Sequence, residues 1–253
     1  MFQDNPAKVL QYLVSGAKLL FQPGLKRFVI IPLLINVVVF ILLTSWAINT
    51  FSDYYSSAIE QNDWLAWLIL LFWLFAGLIA LLVYGYTFNL LTTLIAAPFY
   101  GFLAEKIAQR VTGNSATPEA LASLVVRTFK RELVKLWYFI SRGALIFLGI
   151  IVLFFIPLIG SFGGLLISSI WSAWCMTVQY TDYSADNHQV AFKDMRARLR
   201  QKPLSSFSLG GLIILGSIVP VLNIFMMPVA VAASTLYWLD HHKKETGTTP
   251  SIL

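Results

Sequence analysis

GALIFLGIIVLFFIPLIGSFGGLLISSIWSAWCMTVQYT, residues 143–181, runs for 39 residues without Asp, Glu, Lys or Arg and carries Pro157 and Gly160 near its middle. About 20 apolar residues of helix cover the ~30 Å hydrocarbon core of a bilayer. The stretch is therefore too long for one span and tight for two. A second stretch, Pro203–Leu239, has 37 uncharged residues interrupted by Pro220 and Pro228. Phe28–Ser52 has the length of one span, and Trp64–Ala104, at 41 residues, exceeds it. The chain is 58% hydrophobic and 12% charged, against about 25% charged in a soluble domain. Composition and pattern together read as an all-α integral membrane protein.

Charge placement gives the orientation. Residues 1–27 hold four Lys/Arg against one acid, 105–142 seven against three, and 182–202 five against three, whereas 53–63 holds only Asp53, Glu60 and Asp63. Basic loops stay in the cytoplasm, which puts loop 53–63 outside and the other segments inside. The stretches 143–181 and 203–239 then begin and end on one side. Each is expected to be a Pro-interrupted, partly penetrating helical hairpin. A non-helical tip at membrane depth must face protein or water, so the hairpins imply a homo-oligomer. The whole reads as a single membrane domain, 1–253. An interfacial helix at 6–22 precedes transmembrane helices at 28–52 and 64–104. A cytoplasmic, interfacial helical segment follows at 105–142, then the hairpins at 143–181 and 203–239.

Two segments are amphipathic. Lys8, Gln11, Ser15, Lys18 and Gln22 form one polar stripe, and Glu119, Ser123, Arg127, Arg131 and Lys135 repeat every four residues. Both are expected at the membrane interface, where a basic stripe meets headgroups and the apolar face meets acyl chains, the second alternatively as a subunit-packing helix. The excess of basic residues thus answers to membrane lipid; no motif supports nucleic acid. The first hydrophobic run carries Lys8 and Lys18 and no small-residue cleavage site before Phe28, so no signal peptide is expected. The lone Cys175 gives no metal pattern, and neither metal nor cofactor is expected.

Three segments could carry chemistry. In Gln22-Pro23-Gly24-Leu25-Lys26-Arg27-Phe28, Pro-Gly ends one helix just before the next begins. The first turn of a helix has unpaired N–H groups and a positive dipole end, which suits an anion. Gly24 and Leu25 would offer N–H groups, Lys26 a point charge and Arg27 a planar fork; a plain interfacial anchor is the alternative. Glu105, after 41 uncharged residues, stands with Lys106 and Arg110 at a possible pathway entrance. Asp182, Asp186 and His188 could form an acid–base or metal cluster, or a capped turn leading into a basic helix at 192–201. Paired, Pro/Gly-interrupted hydrophobic segments point to a solute pathway in a transporter.

These segments and the interrupted hairpins together resemble the bacterial CysZ sulfate transporter family over nearly the whole chain. The resemblance implies a multi-pass inner-membrane permease, no enzyme, passing sulfate to the cytoplasm for cysteine biosynthesis. Its fold would combine long transmembrane helices with partly inserted helix pairs in an oligomer. Its sulfate contact would fall on Gly24, Leu25, Lys26 and Arg27. Lys26, Tyr100 and Ser184 depart from the family's usual arginine, asparagine and proline. The chain has no phosphate-binding loop of the G-x-x-x-x-G-K-[ST] type, so flux would be channel-like, ion-coupled or driven by a partner, without ATP hydrolysis by the chain itself. The competing class is a non-transporting membrane scaffold of the same fold, and a third is an intramembrane enzyme built on Asp182, Asp186 and His188.

Overall fold

A computed structural model describes residues 4–59, 66–113, 121–156 and 159–246. Among them it holds eight α-helices and no strand: α1 Ala7–Leu20, α2 Arg27–Ile59, α3 Ala66–Thr112, α4 Leu121–Phe154, α5 Ile159–Asn187, α6 Phe192–Arg200, α7 Pro203–Ile218 and α8 Pro220–Thr246. Among the described residues, Arg27–Thr50, Ser123–Phe154 and Leu222–His241 are long and apolar enough to cross a membrane. Within an apolar 18-residue window of each, only 6% is buried in the first two, against 67% in the third, so α8 is an interior helix and the apolar parts of the other two face outward. The chain groups into two compact units, Ile30–Ala96 and the remainder. Glu60 and Asp63 of the acidic loop, Glu119, and the proposed hairpin tip at Pro157 lie outside the described residues.

The unit Ile30–Ala96 is a pair of apolar helical segments. Phe40 meets Phe88 edge-on at 5.7 Å, Tyr84 stacks on Phe88 at 6.2 Å, and the Thr44 and Tyr84 hydroxyls lie 2.7 Å apart. Val38, Leu42, Phe72 and Leu74 are exposed. A contiguous apolar exterior of this kind is what contact with membrane selects.

The larger unit is built around α5, which packs on α4, α7 and α8. Small residues bring the helix backbones together. A Cβ at Gly210 of α7 would overlap the Ala173 carbonyl of α5, and one at Gly16 of α1 would lie 2.8 Å from the Ala233 nitrogen of α8. Hydroxyls tie the seams: Thr177 donates to the Ser206 carbonyl at 2.5 Å, and the Ser206 and Tyr237 hydroxyls are 3.0 Å apart. The last third of α3 enters this core with Ala97, Leu103, Ala104 and Ile107 fully buried. Asn187 caps the contact by donating to the Gly101 carbonyl at 2.7 Å.

Two elements differ from the sequence reading. Helix α4 runs unbroken through residues 142 and 143, joining the interfacial segment and the first hairpin arm in one helix of 34 residues. It is also turned inside out. Its polar stripe faces α5 while Val126, Phe129, Leu133, Trp137 and Ile140 point outward. The apolar face needs no protein partner when the surroundings are lipid, whereas the charged stripe does. Helix α1 is likewise docked on protein: Val9, Tyr12, Leu13, Gly16 and Leu20 are buried on α8, leaving Leu10, Val14 and Phe21 as the outward apolar edge. Its docking is clasped at two points. Tyr12 donates to the Asp240 carboxylate at 2.6 Å, and burial together with this acceptor pushes the phenol pKa well up. Asp4 accepts from the Leu204 and Ser205 N–H groups, each at 2.8 Å, and from the Ser205 hydroxyl. It thereby caps the start of α7, where Lys202 supplies no side-chain cap and the dipole favours an anion.

Candidate functional site

Helix α1 ends where Pro23 and Gly24 redirect the chain. Gly24 has φ +89°, a left-handed conformation open to glycine at little cost, and a Cβ there would meet nothing within 4 Å. The need for glycine here is therefore conformational, not steric. Leu25 is 3% exposed and pins the loop to the core. Its N–H donates to the Gln22 carbonyl at 3.3 Å, so Leu25 offers a side-chain anchor in place of the free N–H expected of it. The N–H groups of Gly24, Lys26 and Arg27 donate to no carbonyl among the described residues. Helix α2 then starts at Arg27, whose guanidinium lies 5.0 Å from the Phe28 ring centroid.

This loop faces the end of α3 across a cleft of about 280 Å³ lined by Pro23, Gly24, Leu25, Arg27, Lys106, Gln109 and Arg110. That is roughly nine times the ~30 Å³ share of one water in the liquid, enough for a partly hydrated oxyanion. Three cations and no acid line it, so its field favours an anion. The structure thus brings two of the sequence candidates, the Gly24–Arg27 loop and the Lys106/Arg110 pair, to one place. Lys26 and Glu105 do not line the cleft; Lys26 is exposed and Glu105 half-buried. Gln109 was missed by sequence reasoning. Its signal was the spacing of Lys106, Gln109 and Arg110 at i, i+3 and i+4, which shares one helix face. Lys106 Nζ donates to Gln109 Oε1 at 3.0 Å. Arg110 donates from Nη1 to Gln22 Oε1 at 2.9 Å and from Nη2 to the Pro23 carbonyl at 3.1 Å.

The third candidate group is resolved differently. Asp182 receives Arg131 through Nη2 at 2.8 Å and Nε at 2.9 Å, and Lys135 Nζ at 3.4 Å. Lys135 also reaches Glu132 at 2.6 Å, and Arg127 pairs with Asp186 at 2.6 Å. Burial raises the Asp186 pKa; Arg127 opposes that shift and the Asp182 charge adds to it. His188 Nδ1 lies 2.7 Å from the Ser184 carbonyl. Among the described residues no three His, Cys, Asp or Glu side chains are placed to hold a metal. Both acids act as counter-ions for the inward stripe of α4. Two complementary every-four patterns, Arg127/Arg131/Lys135 and Asp182/Asp186, were the readable sign of it.

A family model described as Sulfate transporter CysZ/Etoposide-induced protein 2.4 matches residues 12–228. The chain is 41% identical over 256 residues to the sulfate transporter CysZ of Pseudomonas fluorescens (strain Pf0-1), covering 96% of this chain and 99% of the relative. It is 36% identical over 251 residues to that of Pectobacterium atrosepticum, covering 98% and 90%. It is 41% identical over 239 residues to that of Salmonella typhi, covering 93% of each.

Proposed function

We propose, from the premise that this chain belongs to the sulfate transporter CysZ/etoposide-induced protein 2.4 family, that it carries sulfate across the bacterial inner membrane into the cytoplasm, where sulfate feeds cysteine biosynthesis. It is a membrane transporter and not an enzyme. The observation that carries the site assignment is the cleft between the Gly24–Arg27 loop and Lys106, lined by cations and free of acids. Sulfate is fully ionised at neutral pH and only accepts hydrogen bonds. The free N–H groups of Gly24 and Arg27 and the Arg27 guanidinium are donors only, and a charge-assisted contact of this kind is worth about 1.5–3 kcal/mol. Lys26 contributes a charge outside the cleft, and Glu105 stands beside Lys106 at the entrance to the pathway.

An inside-negative potential opposes a dianion by about 4.6 kcal/mol per 100 mV, twice the ~2.3 kcal/mol per charge. Uptake therefore draws on a sulfate gradient maintained by consumption, or on a coupled ion, without ATP hydrolysis by this chain. Helix α7, with 16 residues, rises about 24 Å at 1.5 Å per residue, short of the ~30 Å core. This supports the reading of α7–α8 as a partly inserted pair whose tip is covered in a homo-oligomer, with membrane lipid on the outer faces. Flux of radiolabelled sulfate into proteoliposomes of the purified protein tests the assignment. Saturable sulfate entry is expected. None above protein-free vesicles, in either insertion orientation, would leave a scaffold.

A further inference from the structure

We propose that Arg110 is a positioning residue: with Gln22 it latches the loop at 21–26 in the shape that presents its N–H groups to the cleft, and it does not itself bind the anion. This rests on the reading of the cleft as the sulfate site.

Arg110 is the cation a simple charge count would assign to sulfate. Its geometry says otherwise. Each terminal nitrogen gives an N–H to the loop, one to the Gln22 side-chain oxygen and the other to the next residue's carbonyl, which ties the plane of the guanidinium to the loop wall. The fork therefore grips two consecutive loop residues just before Gly24, the residue with the left-handed φ. On the far side of Gly24, the buried Leu25 side chain holds the chain. Gly24 is thus stapled from both flanks, which matters because glycine loses the most conformational freedom when ordered. The base of the latch is rigid: Ile107, less than one turn before Arg110, is fully buried. Arg27 and Lys106 remain to face the anion. A lysine at 110 cannot replace the latch, since one ammonium does not reproduce a planar fork reaching two acceptors.

If the latch orders the loop in advance, its loss makes binding do the ordering and weakens affinity without touching the transport step. Gln22→Met keeps the length of the side chain and removes the acceptor; Arg110→Lys keeps the charge and removes the fork. Each should raise the half-saturating sulfate concentration about fivefold, the factor for a net hydrogen bond of ~1 kcal/mol, with maximal flux retained. The double variant should be no worse than the weaker single, because both break one unit. Hydrogen exchange of the sulfate-free protein should show faster exchange in both at the Leu25, Phe28 and Val29 amides, which donate to the Gln22, Leu25 and Lys26 carbonyls. An anion-binding Arg110 predicts the opposite. Gln22→Met would then release the guanidinium and leave sulfate affinity unchanged or tighter, and the two substitutions would add. Unchanged exchange at the Leu25, Phe28 and Val29 amides in Gln22→Met and Arg110→Lys overturns the latch. Absence of sulfate flux in the wild type would overturn the transport reading alone, because the exchange comparison still decides the latch.

Discussion

Replacing Asp182 by Asn removes one charge from a site that is 1% exposed while keeping nearly the same volume. Arg131 loses the carboxylate that receives both its Nε and Nη2, and Lys135, also 1% exposed, loses a counter-charge at 3.4 Å. Glu132 then remains beside Lys135 at 2.6 Å, and Asp186 stands 4.0 Å from Arg131 Nε. The asparagine amide turns its own donors toward one of the two cations. Breaking one partner of a buried ion pair costs about 3–5 kcal/mol, because the surviving charge is stranded. At roughly 2–4 °C per kcal/mol for a chain of this size, the melting midpoint should fall by roughly 6–20 °C. Heat challenge of detergent-solubilised protein followed by size-exclusion chromatography reads this directly. The paired change Asp182→Leu with Arg131→Met should recover most of the loss, since an apolar substitute for a buried pair is often neutral or better. Sulfate affinity of Asp182→Asn, measured well below its midpoint, should match the wild type. A midpoint within about 2 °C of wild type would refute the energetic argument. Lost sulfate affinity with an unchanged midpoint would move these acids from scaffold to conduction pathway.

Arg27→Ala should weaken sulfate binding by roughly one to two decades, and Lys26→Ala by less, since Lys26 does not line the cleft; equilibrium binding of both variants side by side checks the order. Gly210→Ala should destabilise by at least about 1–3 kcal/mol, because the new Cβ overlaps the Ala173 carbonyl and two helix backbones must part; a melting midpoint equal to wild type would contradict that crossing. Burial would raise the Asp4 pKa, but the hydroxyl and N–H of Ser205 and the Leu204 N–H outweigh it and hold it below the usual 3.8. The depressed carboxylate lends stability above its unfolded pKa that is lost as pH falls through the folded value. Amide protection of residues 4–20 should accordingly drop below about pH 4, and Asp4→Ala should have lower protection at neutral pH with that dependence gone.

The helix breaks were written locally. Pro23-Gly24 and Pro203 carry their effect in their own backbone, so the ends of α1 and the start of α7 could be read directly. The loop at 24–27 was legible for the same reason, and Lys106 and Arg110 stood out by charge. Which face of a helix meets which partner was not legible. Arg127, Arg131 and Lys135 show a period but not a direction, and the usual sense reverses when the outer solvent is lipid. Helix α1 has an apolar band wide enough for both protein and membrane, and only Gly16 hints that one side meets a backbone. Arg110 was legible as a cation; its use as a fork on Gln22 and Pro23 depends on contacts 87 and 88 residues apart, which no local pattern encodes.

The clasp on α1 sets a timetable for synthesis. Its partners, Ser205 and Asp240, are 201 and 228 residues downstream of Asp4 and Tyr12. At ~5–20 residues per second, a ribosome reaches Asp240 roughly 11–46 s after Tyr12. Helix α1 is therefore made long before it can be seated. During that interval its apolar face has only the bilayer surface to cover it, the setting an amphipathic, basic helix suits. The membrane thus serves α1 as a waiting place before α8 exists to receive it. A chain stopped short of Asp240 would leave α1 there, held on lipid with Tyr12 unclasped.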